Sequence, residues 1–505
     1  MAPVVLRPRA GGAAQAETAI HRFVESARDP ILLEAGEPPF PLTPSSYSLE
    51  WRGPKLIIQA WDDVRNLARR IGGIAAEKPG KLELLIEKLG GRQGRLSLLD
   101  RARGTAAEER HSERLVFREA FRRSLERQFA GWRIAELSTE INLEHSLSPA
   151  YPRAFLRNGG GGWAAIAAPP EPGAAAGALT FGLIWLDYLR ARQPRVTIEG
   201  LALFLPQAEA RTVCLRLPFL NSRAARFTVF VCDPNGYEDR LDPADYGNLD
   251  TGVEPYSNGA GLPLQVERWV DGLLKLPFVE RIRRGDASVS LRVRGLEFAR
   301  ASSDGLVFGL ASRSAASEAD VHEIEELARQ IFRMRSPSGG AGRDNPVWRL
   351  QPEAWLESQV RRHIERIEPC VHADPVYGQV PAFAGGDRSV LDLLAADRGG
   401  RLAVIELKAS EDIHLPLQAL DYWMRVRWHV ENGDFTRCGY FPGMALAAEW
   451  PRLLLVAPAL CFHPKTETIL RYFDPRIEVE RVGLGAEWRR NPEVMFRIRG
   501  ARRPI

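Results

Sequence analysis

The sequence has few cysteines and no long apolar run, and these absences exclude several protein classes. Its 505 residues include five cysteines, and no two lie close enough to form a CxxC pair. This scarcity argues against a disulfide framework and against a thiolate zinc site. No apolar stretch reaches the roughly 20 residues that a membrane-spanning helix needs. The first residues also lack the apolar segment of a signal peptide, so we expect a cytoplasmic protein.

The charge balance shows no strong excess of one sign. Sixty-eight Lys and Arg face 64 Asp and Glu, which gives a net charge of +4. A nucleic-acid-binding surface would therefore have to be a local patch. The chain is 45% hydrophobic and 26% charged, which is typical of a folded protein, and its length predicts several domains.

Pattern and composition divide the chain into five segments. Residues 1–18 are expected to form a flexible tail, and residues 19–207 an N-terminal α/β region. Within that region, Asp62 and Asp63 predict the start of a helix over VRNLARRI, residues 118–129 predict an amphipathic helix, and AAIAA predicts a short buried strand. A mixed, strand-rich middle region follows over 208–335, with helices near 265–275 and 316–335. The stretch RSPSGGAGRDNP indicates a linker over 336–346, which leaves a C-terminal domain over 347–505.

The C-terminal domain shows an α/β pattern. A helix is predicted over 353–367, followed by the strands VYGQVPA, SVLDLLAA and LAVIELK. Gly399 and Gly400 favour a hairpin between the last two strands. A long helix over 415–429 and a buried strand LLLVAP complete the pattern.

Three residues of this block suggest chemistry: Asp392, Glu406 and Lys408. Glu406 and Lys408 lie two apart on a strand, so they share one face, and the hairpin can bring Asp392 beside them. Two carboxylates with open water positions suit Mg²⁺ or Mn²⁺, and the ammonium can bind a phosphate oxygen. An exposed strand that alternates Glu and Lys for solubility is the alternative. The buried apolar run before the pair argues against that alternative.

The segments SVLDLLAADRGGRLAVIELKA and LQALDYW resemble the PD-(D/E)xK nucleases, especially the RecB-like and NucS-like branches. The resemblance covers roughly residues 350 to 460, with one departure: Leu391 stands where a proline often precedes the aspartate. It implies a restriction-endonuclease-like fold, with a mixed central sheet flanked by helices. It also implies that Asp392, Glu406 and the Leu407 carbonyl bind the metal and that Lys408 is the catalytic ammonium.

Further site residues follow from the same resemblance. Glu357 on the leading helix is expected to hold a metal-bound water, with Glu353 one turn earlier as its rival. Gln418 and Tyr422 are expected to face the site from the long helix. For Glu357 and Glu353 the alternative is a solvated helix charge, and for Tyr422 the alternative is core packing.

The resemblance implies a Mg²⁺- or Mn²⁺-dependent nuclease, in DNA repair or defence. DNA is favoured over RNA by family analogy alone. A protein that keeps the nuclease fold and binds nucleic acid without cutting is the alternative. Six arginines are expected to contact nucleic-acid phosphates, unless they only form a charged surface: Arg361, Arg362, Arg425, Arg427, Arg489 and Arg490.

The region from about 110 to 207 repeats the C-terminal pattern without its catalytic residues. Ala167 falls where Glu406 would be, and Pro169 where Lys408 would be, whereas Asp187–Tyr188 matches Asp421–Tyr422. Arg123 takes the place of Glu357, and Ile184 that of Gln418. The region is either a degenerate copy or a chance recurrence of helices and strands. A copy would serve binding or pairing, with a homodimer or a partner protein as the expected outcome.

Overall fold

The protein is mixed α/β and contains several separate sheets. The computed structural model describes residues 12–34, 39–43, 46–52, 55–61, 66–87, 93–103, 106–171, 173–232, 238–246, 249, 251–256, 262–283, 288–310, 312–337, 345–384 and 387–501. The chain forms two compact units, one of Met1–Glu171 with Gln193–Ile198 and one of Pro172–Arg192 with Glu199–Ile505. No helix in the described ranges is long and apolar enough to cross a membrane.

The first unit begins with a helix packed on an antiparallel sheet. Its elements are α1 (Gly12–Ser26), β1 (Pro30–Glu34), β2 (Phe40–Pro41), β3 (Tyr47–Arg52), β4 (Lys55–Trp61), β5 (Asn66–Lys78), β6 (Lys81–Glu87) and β7 (Gln93–Asp100). The strands are ordered β2-β1-β7-β6-β5-β4-β3. In β6 every second residue (Leu82, Leu84 and Ile86) is buried, which is the periodicity of a strand with one face in the core.

Two expectations for this region are corrected. Helix α1 includes residues 12–18, which the sequence assigned to a flexible tail; residues 1–11 lie outside the described part. Charged residues around Asp62 and Asp63 suggested a helix over the following VRNLARRI, but β5 begins at Asn66. Pairing with β4 and β6 on both sides outweighs the local helical signal there.

The first unit continues with a helix and three antiparallel strands. These are α2 (Ala106–Gln128), β8 (Arg133–Ser138), β9 (Arg153–Asn158) and β10 (Gly161–Ala167). Strand β9 pairs antiparallel with both β8 and β10. The strand predicted at AAIAA is confirmed by β10, and the amphipathic helix before it by α2.

The second unit begins with α3 (Ala174–Arg192), β11 (Thr197–Pro206), α4 (Ala210–Arg216), β12 (Arg226–Cys232) and β13 (Glu238–Leu241). Strand β11 is parallel to β12, and β12 is antiparallel to β13. Helix α3 is apolar on most of its surface, with twelve buried residues, because helices pack against it from several sides.

A five-stranded sheet with two helices follows. Its elements are α5 (Leu264–Leu274), β14 (Val279–Arg283), β15 (Val289–Val293), β16 (Leu296–Ser302), β17 (Gly305–Phe308), β18 (Ser314–Ala315) and α6 (Val321–Met334). The five strands are antiparallel neighbours in chain order. Both helices of the middle region are confirmed within a few residues.

The C-terminal part is a six-stranded mixed sheet with flanking helices. Its elements are α7 (Pro346–Arg349), α8 (Pro352–Arg362), α9 (Ile364–Ile367), β19 (Val371–Ala384), β20 (Asp387–Asp397), β21 (Leu402–Leu407), α10 (Leu415–Glu431), α11 (Asp434–Arg437), β22 (Arg452–Pro458), α12 (Thr466–Leu470), β23 (Val479–Leu484) and β24 (Val494–Arg499). The strand order is β19-β20-β21-β22-β23-β24. The helix predicted over 353–367 is interrupted at His363.

The predicted linker lies largely outside the described residues, since 338–344 are not described. The chain on its two sides is held together by Arg335, whose side chain is fully buried. Its guanidinium donates to the carbonyls of Val347 at 2.9 Å and Leu350 at 2.7 Å. The middle region and the segment that follows the predicted linker therefore share a packed contact within the second unit.

Candidate active site

Strands β20 and β21 form the hairpin that carries the two predicted metal-binding carboxylates. Every residue of β21 is buried, because β20 and β22 flank it in the sheet. Leu393 pairs with Ile405, so the next step along the ladder sets Asp392 opposite Glu406. Asp392 Oδ2 accepts a hydrogen bond from the Leu407 N–H at 2.9 Å. The predicted hairpin is therefore confirmed, and it brings these residues together.

The turn of this hairpin fixes its register. Asp397 Oδ1 accepts hydrogen bonds from the N–H groups of Gly399 and Arg401, both at 2.9 Å. Gly400 has φ of +81°, and a Cβ at this position would lie 2.1 Å from the Ala445 carbonyl oxygen. Only glycine fits there without rearrangement. A slip of one residue would turn Glu406 to the other face of the sheet.

The two carboxylates lie in a buried, electrostatically unfavourable environment. Glu406 is 4% exposed, and its Oε2 has no hydrogen-bond partner among the described residues. Burial and the nearby Asp392 raise the pKa of Glu406 well above its ordinary value. Burial also raises the pKa of Asp392 to about 7, against the lowering effects of the Leu407 N–H and Lys408. A pair of this kind cannot be fully ionised at low cost without a nearby cation.

Lys408 lies at the point where β21 ends. Its backbone N–H still donates to the Val456 carbonyl at 3.1 Å, which continues the ladder to β22. Its ammonium lies 3.6 Å from Asp412 Oδ2, and the side chain is 23% exposed. Lys408 is thus close enough to lower the pKa of both carboxylates and open enough to reach a ligand.

Helix α10 brings Tyr422 near the carboxylates. Burial raises the pKa of Tyr422, and the negative charges of Glu406 and Asp392 raise it further. Gln418 lies one turn earlier on the same helix and is partly buried. Both positions agree with the expectation that this face of α10 borders the site.

Glu357 on α8 is already neutralised by two arginines. Its side chain is 4% exposed; Arg361 donates to Oε1, and Arg292 lies 3.3 Å from Oε2. Gly378 of β19 allows this approach, because a Cβ there would lie 2.6 Å from Glu357 Oε1. Glu353, its predicted rival, is partly buried, and its charge also raises the pKa of Asp392. The structure therefore places both acids near Asp392 and ties Glu357 to the arginines.

The six arginines expected to bind phosphates have different environments. Arg425 is 9% exposed and donates to the Asp421 carbonyl of its own helix at 2.8 Å. Arg427 pairs with Glu431 at 2.7 Å and stacks on Trp450. Arg489 stacks on Trp348 and Trp488. These three arginines are engaged in packing, which argues against a phosphate-binding role for them.

The other three arginines lie closer to the protein surface. Arg361 is bound to Glu357, as described above. Arg362 is about half exposed and pairs with Glu280 at 3.0 Å. Arg490 is exposed. Among the six, Arg362 and Arg490 are the most available to a ligand.

No sequence pattern indicated a role for Arg292 or Arg216. Arg292 reaches Glu357 from β15 of the middle sheet, 65 positions earlier in the chain. Arg216, on α4, binds both carboxylate oxygens of Asp421 at 2.8 and 2.7 Å, 205 positions apart in the chain. Neither arginine belongs to a local motif, so only a three-dimensional arrangement could reveal these contacts.

Comparisons with known proteins add little to this description. No protein-family model matches the chain, and no curated protein matches it. One solved structure with some similarity is titled "Crystal structure of protein VC1899 from Vibrio cholerae". The two sequences are 14% identical, and the match covers 57% of this chain and 73% of the Vibrio cholerae protein, with a TM-score of 0.14. A likeness this weak carries no argument about function, which must rest on the site itself.

Proposed function

We propose that this protein is a Mg²⁺- or Mn²⁺-dependent nuclease that hydrolyses DNA phosphodiester bonds with its C-terminal domain. The observation that carries the proposal is the pair of buried carboxylates on the β20–β21 hairpin, with Lys408 beside them. Glu406 Oε2 is buried without a hydrogen-bond partner among the described residues. Natural proteins rarely keep such a charge without a functional reason.

The residues present fit a divalent cation. No three His, Cys, Asp or Glu side chains gather into a metal site within the described ranges. Asp392 and Glu406 provide two hard oxygen ligands, and the Leu407 carbonyl is the proposed third; water and substrate would complete the shell. A cation there would balance the charges that raise both pKa values. When bound, it would supply Lewis acidity to the phosphate and the attacking water.

The protein's own groups would orient the substrate around these carboxylates. The Lys408 ammonium would bind a non-bridging phosphate oxygen and stabilise the charge that develops on it. Asp412, 3.6 Å from the ammonium, would hold Lys408 toward the site. Gln418 and Tyr422 would border the substrate from α10.

Strand topology supports the restriction-endonuclease-like fold proposed for residues 347–505. A helix precedes three antiparallel strands, β19 to β21. A second helix, α10, leads to the parallel strands β22 and β23, and β24 closes the sheet in the antiparallel direction. This order sets the carboxylates on the central hairpin and Gln418 and Tyr422 on the helix that follows it.

We further propose that residues 106–241 are a degenerate copy of this domain, here called the N-terminal copy. Helix α2 precedes the antiparallel strands β8 to β10; α3 then leads to the parallel strands β11 and β12, and β13 is antiparallel. The pattern therefore extends beyond residue 207. Ile166 pairs with Arg153, so the positions of Glu406 and Asp392 are taken by Ala167 and Pro152.

The proposal is tested with purified full-length protein on supercoiled, linear and single-stranded DNA and on RNA, with Mg²⁺ or Mn²⁺. We expect cleavage of DNA that stops in EDTA and in Glu406→Gln, while the exposed control Glu449→Gln cuts like the wild type. Activity in Glu406→Gln, or activity unchanged by EDTA, would refute it. Binding without cleavage in wild type would favour the non-cleaving alternative.

A further inference from the structure

Two segments of the second unit contact each other reciprocally. The Asn221 N–H donates to the Tyr472 carbonyl, and the Asp474 N–H donates to the Phe219 carbonyl, both at 2.8 Å. Between them Leu220 and Phe473 form an isolated antiparallel bridge. Each segment thus donates one backbone hydrogen bond to the other segment and accepts one from it.

The two segments occupy equivalent places in the two proposed copies. One lies between α4 and β12, and the other lies between α12 and β23. Each contains the same local turn. Asn221 Oδ1 accepts from the Arg223 N–H at 3.1 Å, and Asp474 Oδ1 accepts from the Arg476 N–H at 2.9 Å. Contact between identical patches is the property that defines a two-fold-symmetric interface.

Side chains around this point repeat the reciprocity. Arg216, the last residue of α4, binds Asp421 of α10, and Arg471, just after α12, lies 3.7 Å from Asp187 of α3. Asp187 and Asp421 are the matching aspartates of the two Asp–Tyr pairs. Arginines also cross in both directions onto aromatic rings: Arg427 over Phe219 at 5.4 Å and Arg190 over Tyr472 at 5.9 Å.

The two Arg–Asp pairs, Arg216–Asp421 and Arg471–Asp187, are here called arms, and they differ in strength. Arg216 holds Asp421 through two hydrogen bonds, and its side chain is 4% exposed. Arg471 approaches Asp187 at one point, and both side chains are about 30% exposed, at 30% and 27%. The tighter arm acts on α10, which carries Gln418 and Tyr422. The looser arm acts on α3, which has Ile184 in place of the glutamine.

We infer that the N-terminal copy acts as an internal partner subunit that positions the catalytic helix α10 through Arg216. The two copies are joined through α3, α4, α10 and α12 as the subunits of a two-fold-symmetric dimer would be. Arg216 is a positioning residue, because it touches Asp421 and not the carboxylates of the site. This inference rests on the proposed function for its catalytic consequence.

The test compares the two arms in the full-length chain. Arg216→Met and Arg471→Met remove the same charge from equivalent places, and the double variant Arg216→Asp/Asp421→Arg restores the pair in reverse. DNA cleavage is measured with saturating Mg²⁺ well below each variant's melting temperature. Hydrogen exchange of the α3 and α10 amides is followed in parallel.

We expect Arg216→Met to lower kcat by about 10- to 100-fold, since small displacements of reacting groups have effects of this size. KM should change by less than about twofold, and the reversed pair should recover most of kcat. Amide hydrogen exchange should rise in α10 for Arg216→Met and in α3 for Arg471→Met. The kcat of Arg471→Met should be almost unchanged. A folded Arg216→Met with wild-type kcat and wild-type exchange in α10 would overturn the inference.

Failure of the proposed function gives a different result. Wild-type protein would then cut no DNA under any condition, while hydrogen exchange would still report whether Arg216 holds α10. Equal exchange in α10 for wild type and Arg216→Met would refute the positioning role by itself. If Arg216→Met does not fold, the double variant Arg216→Asp/Asp421→Arg provides the test. Wild-type hydrogen exchange in α10 of this variant supports the positioning role of Arg216. Raised exchange in α10 together with lost activity refutes it.

Discussion

The hairpins β9–β10 and β20–β21 are both antiparallel, and they differ at the two positions that carry carboxylates in the second. In the first, the Ala167 N–H donates to the Pro152 carbonyl at 2.9 Å. In the second, the carboxylate of Asp392 accepts from the N–H of Leu407, one residue beyond the position that matches Ala167. Both hairpins form, so the fold needs no carboxylate at either position. Buried carboxylates are destabilising unless they bind something, so their presence in the second hairpin is consistent with the proposed function.

The helices that follow the hairpins differ in the same sense. Helix α3 has Ile184 at the position where α10 has Gln418, and it is buried over most of its surface. Pro169 stands where Lys408 would be and has no charge to offer a phosphate. The two proposed copies therefore share their order of helices and strands, and they differ in the few side chains that would make one of them a catalyst.

The largest effect is expected for Glu406→Gln. This change keeps the shape of the side chain but removes the proposed metal ligand, so cleavage should fall by about 1,000-fold or more. Isothermal titration with Mn²⁺ should show binding by wild type and none by the variant. Mn²⁺ binding of wild-type affinity by Glu406→Gln would contradict the assignment.

Lys408→Met should lower kcat by at least about 100-fold, because the charge opposite the phosphate is lost. Metal binding should remain, since Lys408 is not a ligand. Steady-state cleavage and Mn²⁺ titration on the same sample separate the two effects. Loss of metal binding together with activity would indicate that Lys408 acts only by holding the hairpin.

Ala167→Glu introduces into the first hairpin the carboxylate that the second one contains. Ala167 is 3% exposed, and the new charge would lack the lysine found beside Glu406. We expect a loss of about 3 kcal/mol in the free energy of unfolding, with Ala167→Gln as the uncharged control. Urea unfolding measures the change. Metal binding gained by this variant would show that the N-terminal copy is not chemically inert.

The stability of the metal-free protein should depend on pH through Asp392. Its pKa is raised from 3.8 to about 7 in the folded state, so folding favours the protonated form. The stability that this group contributes is complete below the ordinary pKa and is lost as pH rises through about 7. In EDTA, urea unfolding should show a loss on the order of 2 kcal/mol between about pH 5 and pH 8. The loss should be smaller in Asp392→Asn, where burial of Glu406 still raises the pKa of that carboxyl. A loss of the same size in Asp392→Asn would assign it to other groups.

The smallest effect is expected for single surface arginines. Arg490 is exposed, so Arg490→Gln should weaken DNA binding by a few fold for all sequences and lower the salt slope by about 1. Arg427→Gln, a change at a packed arginine, should lower the melting temperature without altering the salt slope. Fluorescence anisotropy at several salt concentrations distinguishes them. Equal slopes for Arg490→Gln and wild type would remove Arg490 from the DNA-binding surface.

Much of the second unit could be predicted from local pattern. Apolar runs bounded by turn residues indicated β20, β21 and β22, and Gly399–Gly400 indicated the hairpin. Periodicity reports which face of an element is buried, and a two-residue spacing reports which side chains share that face. These are local properties, so the grouping of Asp392, Glu406 and Lys408 was accessible from sequence alone.

The first unit shows where such prediction stopped. Charged residues around Asp62 suggested a helix, yet β5 lies between β4 and β6 in an antiparallel sheet. Sheet pairing is decided by partners elsewhere in the chain, and it overrides a local preference for helix when the alternate positions are apolar. The helix predicted over VRNLARRI was therefore wrong from Asn66 onward.

Local sequence pattern was enough to predict the strands and helices around the β20–β21 hairpin and the grouping of the acidic residues with Lys408. The environment of each charge depended on the tertiary structure. It buried Glu406, gave Glu357 the partners Arg292 and Arg361, and joined Arg216 to Asp421 across 205 positions. It also turned Arg425 inward, although its sequence context resembled that of a phosphate contact. The physical reason is that burial and ion pairing depend on distances in space, which a local sequence pattern does not encode.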